Sequence, residues 1–92
     1  MTTAAEWIER YAKRLGVEAP DETSVAELLS MTGVAAHASE RTAAPISSWL
    51  VGLAGIPPGE ALAHARALAA ELDSEAVAGD VAGHRGGGPT TA

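Results

Sequence analysis

The chain has 92 residues, a net charge of −6 and no cysteine. Disulfides and thiolate metal sites are therefore excluded, and nucleic acid or an anionic membrane surface would be repelled. No apolar run approaches the roughly 20 residues of a membrane span. The opening MTTAAEWIER lacks a charged-then-apolar signal pattern, so a cytoplasmic setting is expected.

The apolar fraction is 47%, but it contains no phenylalanine, two tryptophans and one tyrosine. Alanine and leucine dominate, residues that favour helix, while the β-branched and aromatic content of a typical sheet is missing. An all-α fold is expected: a small four-helix bundle over residues 1–78, followed by a disordered glycine-rich tail over 79–92. A folded unit of about 75 residues buries only roughly 60% of its unfolded surface. Its stability must come from an apolar core, helped by a partner or by homodimerisation.

Thr3-Ala4-Ala5-Glu6 reads as a capping box opening the first helix. Trp7, Ile8, Tyr11 and Leu15 then form one apolar stripe, with Glu6–Arg10 and Glu9–Lys13 as acid-first pairs on the solvated face. Gly16 is suited to end this helix in a left-handed conformation. Pro20 breaks the connector that follows. A second helix is expected from about Ser24 to about Glu40, with Val25, Leu28, Leu29, Thr32, Ala35 and Ala36 toward the core. Gly33 weakens it, unless that glycine serves a close helix crossing.

The third helix is expected to begin with Pro45 as its first residue and to carry Ile46, Trp49, Leu50 and Leu53. No charge occurs from Ile46 to Ile56, which places this helix in the centre of the bundle. The fourth starts near Pro58, carries Leu62, Ala65, Leu68, Ala69 and Leu72 on one stripe, and should fray between Asp73 and Ala78.

Candidate chemistry is sparse. His37, His64 and His84 share no spacing of three or four, so a metal site is not expected. His37, Glu40 and Arg41 form the densest polar cluster and would share one face if the second helix persisted that far. A histidine beside a carboxylate can act in acid–base catalysis, but no nucleophile or second acid accompanies it, and a helix C-terminal capping role is equally served. Trp49 reads as core, with an interface anchor as its alternative. The triple glycine at Gly86–Gly88 lacks the lysine and preceding strand of a phosphate loop.

Taken together, AAEWIERYAKRLGV at the start and ELLSMTGVAAHASERTAAPISSWLVGLAG over Glu27–Gly55 resemble a small bacterial domain of unknown function. The shared elements are Trp7–Arg10, Leu15–Val17, Leu28-Leu29, Ala36-His37, Glu40-Arg41, Ala43–Pro45 and Trp49–Ala54, about two thirds of the chain. Met31-Thr32-Gly33-Val34-Ala35 departs from the family pattern, which usually has Leu-Ala-Arg before the Val-Ala-His. The resemblance implies a domain that occurs alone or fused behind a molybdenum cofactor guanylyltransferase (molybdopterin-guanine dinucleotide biosynthesis protein A). The transferase's nucleotide loop and magnesium-binding acids have no counterpart here. The resulting expectation is a non-catalytic helical accessory domain, without cofactor, that binds a protein partner such as that guanylyltransferase. The alternative is a homodimerisation or protein-binding module unrelated to molybdenum.

Overall fold

The computed structural model describes residues 1–83, with side-chain environments through residue 77. It is all-helical over that range: α1 (Ala4–Leu15), α2 (Glu22–Ala38), α3 (Ala43–Ala54) and α4 (Pro58–Gly83). No strand occurs among the described residues.

Each helix boundary has a local cause. The capping box at α1 is complete: the Thr3 hydroxyl accepts from the Glu6 amide at 3.1 Å, and Glu6 Oε1 accepts from the Thr3 amide at 2.9 Å. That use of its carboxylate explains why Glu6 forms no ion pair with Arg10. One of two local partners had to win, and two backbone amides left without partners at a helix start cost more than an exposed pair gains. At the other end Gly16 has φ +75°, and the Val17 amide donates to the Ala12 carbonyl at 2.9 Å, a Schellman closure.

Asp21 caps α2, its Oδ1 accepting from the Ser24 amide at 2.7 Å, so the helix starts at Glu22, earlier than Ser24. It also ends earlier. Ser39 leaves helical geometry, and its hydroxyl donates to the Ala35 carbonyl at 2.7 Å, competition of a kind serine is prone to. Helix α3 begins at Ala43, two residues before Pro45, and its Thr42 cap makes no side-chain bond. Proline is tolerated there because the first-turn amides have no helical partner. Helix α4 does not fray at Asp73 but continues to Gly83. The part of the expected tail beyond that point lies outside the described residues.

The layout departs from the sequence expectation at its centre. Helix α2 is the hub, packing against both α3 and α4, while α3 and α4 make little contact with each other and α1 packs only lightly on the rest, with Ala12 buried and Ile8 half-buried. The buried core is correspondingly small: Ala12, Met31 and Ala61. Met31, only 2% exposed, occupies the position the pattern assigned to Trp49 and Leu50, which are 68% and 55% exposed. Leu29, also expected inside, faces solvent. An uncharged sequence made α3 look central, but absence of charge shows only that a surface is apolar, not that it is covered.

The close helix approach is at Gly59, not Gly33. A methyl group at Gly33 would meet nothing within 4 Å, whereas at Gly59 it would lie 2.8 Å from Glu27 Oε2. Half-buried Glu27 thus lies beside the first turn of α4, where the helix dipole favours negative charge.

Candidate functional site

Because α3 and α4 both lean on α2 but little on each other, an open groove runs between them. Its floor is α2, through Met31, Val34, Ala35 and Ala38. One wall is α3, with Leu50, Val51 and Ala54, and the other is α4, with Ala61, Ala65, Leu68 and Leu72. The cavity volume is about 430 Å³, within the range of small-ligand and peptide clefts. The three-residue link Gly55-Ile56-Pro57 closes one end, with Ile56 in the lining. Gly55, at φ +69°, reverses the chain there.

The lining is almost wholly apolar. Ser39, Ser47 and His64 are its polar members. His64 Nε2 lies 3.6 Å from Glu60 Oε2 on the same face of α4, with both side chains largely exposed. An exposed pair of this kind contributes little, at most about 1 kcal/mol. The arrangement offers neither a nucleophile with its base nor converging acids. It offers a surface to be covered.

The polar cluster takes a different form from the one the spacing suggested. His37 lies in the last turn of α2, but the helix ends at Ala38, so Glu40 and Arg41 fall in the turn beyond it. All three side chains are exposed, and among the described residues none makes a hydrogen bond or ion pair with another. Their backbones do the local work: the Glu40 and Arg41 carbonyls accept from the Ala43 and Ala44 amides at 3.0 and 3.1 Å, opening α3. Trp49 projects from α3 into solvent and is not part of the groove lining. Among the described residues no group of three or more histidine, aspartate or glutamate side chains could hold a metal ion. His84 lies outside them. Asp21 is held below its ordinary pKa. Acceptance of the Ser24 amide hydrogen bond lowers it, with the Ser24 side chain adding to the effect.

A second apolar surface lies on α1. Trp7 and Tyr11 stack at a centroid distance of 5.6 Å, and Trp7 is 61% exposed. Arg10, Lys13 and Arg14 flank them. No helix among the described residues is long and apolar enough to cross a membrane.

The match that bears on identity covers nearly all of this architecture: residues 1–79 fit the family described as Domain of unknown function (DUF6457). The chain belongs to that family. No curated protein and no solved structure matches it. The DUF6457 domain thus spans all of α1, α2 and α3 and most of α4, including every residue that lines the groove. Sequence reasoning missed the groove because periodicity marks the apolar stripes that carry Met31 and Val34 without saying which of them another helix leaves uncovered. The signal available was the uncharged α3, which marks an apolar surface without saying what lies against it.

Proposed function

We propose that this DUF6457 domain is a non-catalytic interaction module that takes an apolar, helix-forming segment of a protein partner into the groove between α3 and α4, and that the partner belongs to molybdenum cofactor guanylylation. The observation that carries the reading is the groove itself: an apolar cleft on a helical floor. Helix-in-groove recognition uses surfaces of this kind, with apolar anchors recurring at three- and four-residue spacing. Support for the choice of partner is the resemblance of Glu27–Gly55 and the opening segment to domains found beside the guanylyltransferase. The domain would then act by placing or holding that enzyme, with the chemistry residing elsewhere.

The test is titration calorimetry of the purified domain against the guanylyltransferase from the same cell, alongside a guanylylation assay with and without the domain. Binding that is weakened at least tenfold by Ala65→Glu, in a variant that keeps its helical circular dichroism, supports the proposal. No heat of binding at 50-fold molar excess and no change in guanylylation rate would end it.

A further inference from the structure

We propose that in the free protein the groove is occupied by α1 of a second copy, giving a homodimer in which two chains exchange their first helices. This rests on the reading of the groove as a docking surface, and it names what fills that surface before any other partner arrives.

Four observations converge on this occupant. The first is an unmatched pair of surfaces within one chain: α1 presents Trp7, Tyr11 and Leu15 to solvent, and the groove presents Leu50 and Leu68. The second is length. Helix α1 has 12 residues, as does the α3 wall, and at 1.5 Å per residue each is about 18 Å long. Helix α1 can therefore lie alongside the α3 wall over its full length.

The third is charge. Helix α1 carries Arg10, Lys13 and Arg14 against Glu6 and Glu9, whereas between Glu18 and Val77 nine carboxylates face only Arg41 and Arg66. Glu60, Glu71, Asp73 and Glu75 lie exposed on α4, the helix that forms one wall of the groove. A helix with a basic edge laid beside an acidic one is electrostatically matched, which orients the contact and speeds its formation.

The fourth is the connector. Gly16 is fixed in a left-handed Schellman closure, Pro20 has a locked φ, and Asp21 is tied to Ser24 as the cap of α2. Three constrained points in six residues stiffen the link between α1 and α2, and short stiff hinges are what favour exchange of an element between identical chains. Area agrees. Covering the exposed halves of Trp7 and Tyr11, with Ile8 and Leu15, removes roughly 300 Å² per helix. Counting both sides of two equivalent contacts gives about 1,200 Å², the lower end of stable interfaces.

Because the chain has no cysteine, the arrangement can be trapped directly. Tyr11→Cys and Ala65→Cys are made singly, mixed under mild oxidation, and compared with each variant alone and with the double variant. The expected result is a disulfide-linked dimer strongly enriched in the mixture, and linked dimers rather than closed monomers from the double variant at 100 µM. Sedimentation of the unmodified full chain should show a monomer–dimer equilibrium, weakened at least tenfold by Arg14→Glu. That residue is exposed, so folding is spared, and circular dichroism verifies it. A closed monomeric disulfide in the double variant would mean that α1 covers its own groove and would overturn the exchange. A strict monomer up to 1 mM would do the same. Dimerisation without guanylyltransferase binding leaves this inference standing and removes the previous one; the reverse result removes only this one.

Discussion

Replacing Leu50 with alanine separates what the fold needs from what the groove offers. A fully buried leucine loses about 2–5 kcal/mol on truncation to alanine, because a cavity adds to the lost transfer free energy. Leu50 is 55% exposed on the groove wall, so less than half of its side chain is shielded and no closed cavity forms. Scaling the roughly 1.5–3 kcal/mol of full leucine burial by the shielded fraction gives about 1 kcal/mol. Urea unfolding followed by circular dichroism at 1 µM chain should therefore show a loss near that value. At concentrations where the groove is filled, the remaining exposed half is covered as well, and the loss should rise to about 2 kcal/mol. A loss above about 3 kcal/mol at 1 µM would show that Leu50 is enclosed within the single chain, and the open groove would be refuted.

Met31→Ala should cost about 2–5 kcal/mol at every concentration, since this side chain is 2% exposed beneath both α3 and α4; a loss under 1 kcal/mol, read by the same urea series, would displace α2 from the centre. Gly33→Ala should stabilise by about 0.4–1 kcal/mol, because the added methyl meets nothing and the helix loses a flexible residue; a lower thermal midpoint would reveal a neighbour at that position. Asp21 has its pKa lowered in the folded state by the Ser24 amide. Its contribution is therefore present above the ordinary aspartate range and is lost as pH falls below about 4 toward the folded value. Asp21→Asn, which keeps an accepting oxygen, should flatten that part of the acid-denaturation curve while leaving α2 capped; an unchanged acid limb would assign the loss to other carboxylates.

The helices were legible because their signals are local. The Thr3–Glu6 box, the left-handed Gly16 and the Pro58 start each depend on residues within one turn, and the structure bears them out. Boundaries shifted where several neighbouring residues could serve, as among Asp21, Thr23 and Ser24 at the start of α2, or Ser39 and Glu40 at its end. Which apolar face is covered was not legible, because periodicity reports that a stripe exists and says nothing of its partner. Leu28 and Leu29 are adjacent and equally apolar, yet one is half-buried and the other open. The same limit applies to Gly33 and Gly59. Both are glycines in helical segments, and only packing decides which of them another helix approaches. For His37, Glu40 and Arg41, spacing would have placed the three on one face only if the helix had run on, and the Ser39 hydroxyl turning back to Ala35 ends it first.

With α2 as the sole hub, the helices should not open with equal ease. Releasing α3 leaves α4 seated, and releasing α4 leaves α3 seated, but no excursion can free the middle of α2 without dissolving both contacts at once. Amide protons around Met31 should accordingly be the last to exchange with deuterium, at a rate set by global unfolding. Those of α1, which packs least on the rest of the single chain, should be among the first to go where the protein is monomeric.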